Sequence, residues 1–144
     1  MSSTLKTTIV NDRKVVLSTL WIYLSVNYIY CDHLGIMETE MLKGLLKGYV
    51  GTIHVNQEFL IAAALVMQIP FMMIVLSQIL NYKANRLANI IAAIIMIVVQ
   101  LGTMGIGTSP SSVYIFYSVI EIVCNLIIVC IAWRWTYRED IINA

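Results

Sequence analysis

Glu121 places the heaviest chemical demand on its surroundings. It lies between Ile120 and Ile122 within the long apolar stretch from Val113 to Trp135. If that stretch crosses a bilayer as a helix, the carboxyl sits ~12 Å below the boundary nearest Val113, at ~1.5 Å per residue. An ionised acid near the bilayer centre costs at least ~2.5 kcal/mol. Glu121 is therefore expected to face protein, to find hydrogen-bond donors, or to keep its proton. Tyr114, Tyr117, Ser118, Cys124 and Asn125 share one helical face with it, while the other faces are mostly Ile, Val and Leu.

Other apolar stretches place polar groups at a similar depth. Gln68 should lie ~14 Å down, on a face with Gln57, Ile61, Ala64, Phe71 and Met72, and Gln100 ~9 Å down, on a face with Asn89, Ala93, Met96 and Met104. Asn27 should be ~10 Å down with Asp32 nearer the rim. Ser18, Ser25 and Asp32 share a face with Trp21 and Tyr28, so Asn27 points elsewhere. Pro70 cannot donate to the carbonyl of Val66, which frees an acceptor one turn from Gln68. This layer predicts an outward-facing buried pocket lined by Glu121, Asn125, Gln68, Gln100, Tyr117 and Asp32. The plainer account is interhelical hydrogen bonding, worth about 0.6 kcal/mol on average. Taken alone, Gln68 and Gln100 fit that account better, and Asp32 beside His33 fits a solvated position.

Several chemistries find no support. There is no nucleophile–base arrangement, no phosphate-cradling glycine loop and no metal-spaced cluster, so no catalytic residue, metal or cofactor is expected. His33 and His54 are not spaced to chelate together. Cys31, Cys124 and Cys130 form no C-x-x-C pair, and an odd count gives no disulfide framework. A net charge of +1 argues against nucleic acid as a partner. No small-x-small cleavage site follows the first apolar stretch, so it is expected to stay as a membrane helix.

The elements that must position these residues follow from composition. The chain has 144 residues, 60% hydrophobic and only 12% charged, about half the charge of a soluble domain. One domain over residues 1–144 is expected, all-α, as an up-down bundle of four transmembrane helices. The approximate spans are 15–34, 59–80, 87–106 and 113–135, each near the ~20 residues that cross a hydrocarbon core. Asn81 to Arg86 reads as a tight polar turn, and Gly105, Gly107, Ser109, Pro110 and Ser111 as a break before the last helix. In the loop from Gly35 to Glu58, Thr39 can cap a short amphipathic helix that Gly48 stops, lying along the outer surface as a lid or serving as a plain connector. Lys6, Arg13, Lys14, Lys83, Arg86, Arg134 and Arg138 fall on one side of this arrangement, and Lys43 and Lys47 on the other. That bias predicts both termini in the cytoplasm. Trp133 and Trp135 read as an interfacial anchor there, and the cytoplasmic half as otherwise apolar.

Certain runs have a family look: Leu17 to Tyr23 leading to Asp32, Gln57 to Leu60, Gln68-Ile69-Pro70, Tyr82 to Arg86 with Asn89-Ile90, and Ile120-Glu121-Ile122 ending in Ala132 to Trp135. Together they resemble an uncharacterised prokaryotic domain-of-unknown-function family of small four-helix membrane proteins. The resemblance implies a bacterial or archaeal inner membrane and no particular activity. Members often carry an acid directly before the Ile-Pro of the second helix, where this chain has Gln68, which puts paired-acid proton chemistry in doubt. A looser likeness to the DoxX-like membrane proteins, in size and helix count, is fold-level analogy.

The leading expectation is a binding or transport-related module that holds a small polar or cationic ligand, or a proton, around Glu121. The alternative is a structural or accessory subunit whose polar layer fastens helices or docks a partner membrane subunit, with Ala62, Ala63, Ala64, Ala88, Ala92 and Ala93 permitting close approach. A homo-oligomer is compatible with either, since so small a bundle has little room for a pathway of its own. A quinone-linked redox protein using Cys31 or Cys124 is the weakest reading.

Overall fold

Apolar runs of this length leave the backbone no partner but itself, and helices result. A computed structural model describes residues 2–105 and 111–135, with side chains from Arg13 onward. Among these residues lie α1 (Ser2–Met37), α2 (Thr39–Leu46), α3 (Gln57–Ile79), α4 (Tyr82–Gly105) and α5 (Ser112–Trp133), with two-residue strands β1 (Tyr49–Val50) and β2 (Ile53–His54) before α3. Apart from that hairpin and the connecting turns, the described residues are helical. Among the described residues three helices, α3, α4 and α5, are long and apolar enough to cross a membrane.

Helix starts are set by side chains that satisfy the first free N–H groups. Asn56 Oδ1 accepts from Phe59 N at 2.8 Å and Ser111 Oγ from Tyr114 N at 3.1 Å. Asn81 Oδ1 accepts from Ala84 N at 3.2 Å, so the polar turn shrinks to Leu80 and Asn81 and α4 begins at Tyr82. The helix runs unbroken through Pro70. Gly107, Ser109 and Pro110, the end of the third span at Ile106, and Arg138 lie outside the described residues, as does the Lys6 side chain.

Long helices α1, α3, α4 and α5 pack in a ring, α1 against α3 and α5, and α4 against the same two. Neighbours run antiparallel, as the hydrogen bonds require. Lys14 Nζ donates to Leu80 O and Ser18 Oγ to Ile74 O, both at 2.8 Å, between α1 and α3. Between α4 and α5, Tyr82 donates its hydroxyl to Trp135 O and Gln100 Nε2 donates to Ser118 Oγ, both at 2.7 Å. The core holds Leu17, Trp21, Leu24, Met73, Met96 and Ile128.

The first loop is more built than expected. Helix α2 is present and Gly48, at φ +81°, follows it, but Thr39 is not its cap. Glu38 holds the N-cap position and makes no side-chain cap bond. Beyond it a hairpin pairs Tyr49 with His54 and Val50 with Ile53. Its two central residues are Gly51 and Thr52, and the positive φ of Gly51, +57°, suits a type II′ turn. A Cβ on Gly44 would stand 2.9 Å from Tyr49 O, so helix and hairpin are in close contact.

Trp135 departs from its expected role. It is fully buried, edge-on to Tyr82, whereas Trp133 is exposed with the Arg86 guanidinium over its ring. One indole is core and only the other is available as an anchor.

Candidate functional site

Helix α5 turns its polar stripe inward. Ser118, Glu121, Cys124 and Asn125 are all buried, at the three- and four-residue spacing that repeats along one face. Glu121 and Asn125 are each 1% exposed. Asn125 Nδ2 donates to the Glu121 carbonyl and to the Tyr28 hydroxyl, both at 2.9 Å. Two acceptors in this layer are left over: Glu121 Oε1 and Asn125 Oδ1 are enclosed and have no hydrogen-bond partner among the described residues. An acceptor left so costs about 1–3 kcal/mol. Two unused acceptors one helical turn apart make a site that suits a hydrogen-bond donor or a cation and repels an anion.

Gln100 joins the same end of the core with its amide nitrogen already bonded. Its amide donates to Ser118 Oγ, and that hydroxyl donates in turn to Tyr114 O at 2.8 Å. Thr103 Oγ1 donates to Gln100 O at 2.9 Å and pairs with the Tyr114 hydroxyl at 2.7 Å. This chain of contacts fastens α4 to α5, one turn from Glu121.

The remaining residues expected in the layer sit elsewhere. Gln68 is exposed, and so are Gln57, Ile61, Ala64, Phe71 and Met72, the residues that share its face. They form one face as expected, but it is the outer one. Helix α3 buries Pro70, Met73 and Ser77 instead, and at ~100° per residue Gln68 points away from Pro70 and from the Val66 carbonyl. Asp32 is exposed as well. The buried stripe of α1 runs through Leu17, Trp21, Leu24, Tyr28 and Cys31. Ser18, Ser25 and Asp32 each follow a stripe residue, on its flank; the two short serines are covered there and the longer acid is not. Tyr117 lies beside the stripe of α5, next to Ser118, half-buried and edge-on to Phe116. Asn27 is buried with its amide donated to Tyr23 O within its own helix.

Tyr28 belongs to the site and was not expected there. Its place on the Ser18–Ser25–Trp21 face was the available signal; the missing information was the register of α1 against α5.

A second polar cluster fills the other end of the core, the end of the α3–α4 turn, where the sequence reads as apolar. Trp21 Nε1 donates to Asn89 Oδ1 at 2.7 Å, and Ser77 Oγ donates to the same oxygen at 3.2 Å. Asn89 Nδ2 donates to Asn85 Oδ1 at 2.6 Å and to Asn85 O at 2.9 Å, while Asn85 Nδ2 donates to Ser77 O at 2.7 Å. Ser77, Asn85 and Asn89 are fully buried. These groups satisfy one another, which is the signature of a structural fastening.

The three cysteines are free, Cys31 and Cys124 buried and Cys130 exposed. No curated protein and no solved structure matches the chain. A family model does, over residues 7–142, and the earlier resemblance to an uncharacterised domain family stands on that match. The chain belongs to DUF6326, a family of unknown function.

Proposed function

We propose that the protein crosses a prokaryotic cytoplasmic membrane four times, with α1 as the fourth span and both termini inside. In this reading it is a binding or transport-related module in which Glu121 and Asn125 hold a small cation, a hydrogen-bond-donating ligand or a proton. Support for the fourth span comes from the outer face of α1, where Ile22, Val26 and Ile29 are exposed apolar residues like those on α3, α4 and α5. The distribution of Lys and Arg supports the orientation.

The observation that carries the ligand reading is the pair of enclosed acceptors, Glu121 Oε1 and Asn125 Oδ1. Interhelical glue would have partners, as Gln100 and Asn89 do. Glu121 has an acid's cost in hydrocarbon without a glue residue's bonds, so a donor or cation supplied from outside the chain completes it.

The test is Glu121→Gln in proteoliposomes. Wild-type vesicles loaded with a pH-sensitive dye should exchange protons, or the purified protein should bind Na⁺, K⁺ or methylammonium; the variant should lose that property and keep its fold. A variant that behaves as wild type in both assays, or a wild type inert to all four probes, sinks the reading.

A further inference from the structure

Gln68 occupies an unusual place. It is eleven residues from each end of α3, Gln57–Ile79, hence ~16 Å from either end. In a helix long enough to cross a membrane that is the middle of the hydrocarbon. The side chain is exposed and makes no hydrogen bond to any described residue. Its neighbours along the same strip are apolar and equally open, with Ile61 52% exposed and Val75 55%. Only 11% of the most apolar window of α3 is buried within the chain, against 28% for α4 and 33% for α5. A primary amide at that depth has two N–H donors and a carbonyl acceptor, and lipid tails satisfy none of them.

We propose that this strip of α3 is a self-association surface, and that its occupant is the α3 strip of a second copy of this chain. The amide selects the partner. Two copies inserted with the same topology place Gln68 at the same depth, and a carboxamide is complementary to itself, donating to its twin's oxygen and accepting from its twin's nitrogen. A twofold axis along the membrane normal satisfies both at once, as expected of an isologous contact. Ala64, one turn away on the strip, lets the two backbones approach, and a polar residue amid apolar ones at a helix seam fixes register and stoichiometry. The inference is independent of what Glu121 binds. It needs only that α3 spans the membrane.

The experiment counts fluorophores on single molecules of the full chain in bilayers of increasing lipid-to-protein ratio. Wild type should appear as dimers that dissociate on dilution. Gln68→Leu should dissociate at protein densities roughly three- to twenty-fold higher, the range for interhelical hydrogen bonds of ordinary strength, and Gln68→Asn should recover part of the loss. Val98→Leu, on the exposed face of α4, should leave the midpoint unchanged. Should Gln68→Leu fail to fold, cross-linking with Cys130 replaced by serine decides: Ala64→Cys should give covalent dimers and Val98→Cys should not. A wild type that is monomeric at every dilution overturns the proposal. So does a Gln68→Leu midpoint equal to wild type, or cross-linking of Ala64→Cys only to a different protein.

Discussion

The amide of Asn125 donates to the hydroxyl of Tyr28 at 2.9 Å, joining α5 to α1 across 97 residues of chain. It is the one side-chain hydrogen bond described between those two helices at the Glu121 layer. Tyr28→Phe keeps the ring and removes the acceptor, while Asn125 retains its bond to Glu121 O. The expected loss is about 1 kcal/mol of stability, read as a modest drop in Tm in detergent. Because Tyr28 also borders the unpaired acceptors, proton exchange or cation binding should change in the same variant. A Tm equal to wild type would mean that the bond contributes nothing.

The two polar clusters should respond differently to truncation. Asn89→Ala removes bonds to Trp21, Ser77 and Asn85 together and leaves a buried indole N–H unsatisfied. About 2–4 kcal/mol should be lost, given what unpaired buried donors cost. Glu121→Leu should instead leave Tm unchanged or raise it, since it removes a buried acid with an unpaired oxygen and adds apolar contact. Thermal unfolding of the two variants side by side checks the contrast, and the reverse order would refute the assignment of roles.

Gly44→Ala tests the outer loop. The added methyl meets the Tyr49 carbonyl at 2.9 Å, so α2 and the hairpin must part. Faster proteolysis and amide exchange across residues 39–54 are expected, with the Tm of the long helices unaffected. If the variant exchanges at the wild-type rate, the contact is not what holds this segment.

Topology can be checked with reporters that fold only on one side of the membrane, fused at the N-terminus and inserted between Lys47 and Gly48, positions that only α1 separates among the long helices. The two fusions should report opposite sides. The same side for both would contradict a crossing count in which α1 is a span.

The polar stripe of α5 was legible in the sequence because its polar residues are numerous enough to mark one face against Ile, Val and Leu. Helix α3 was not. It is apolar all round with one central amide, and such a helix carries no periodic signal for which side is buried; cost, depth and the carbonyl freed by Pro70 all favour an inward Gln68, and none of them fixes a direction. The Asn85–Asn89 pair stands at the four-residue spacing, but Trp21 and Ser77 look innocuous singly. Their convergence depends on the register of three helices, which no local pattern encodes. The hairpin had a short-range signal in Tyr49-Val50-Gly51-Thr52-Ile53-His54, two β-favouring pairs around a glycine turn, masked by the helical pattern just before it. Ser18, Ser25 and Asp32 show how close a correct face can come to a wrong residue, since a flank position covers serine and exposes aspartate.

The α3–α4 turn carries a consequence for biogenesis. Asn85 reaches Ser77 across eight residues and Ser77 reaches Asn89 across twelve, so these bonds close within a segment that leaves the ribosome almost as a unit. Contacts so near in sequence form early. The pair of helices can therefore enter the bilayer already clasped, with its asparagines hidden from lipid before α5 has been made. Glu121 has no such local help. Its enclosure, like that of Asn125, waits for α5 to find α1, so this layer is covered only after the asparagine cluster has closed.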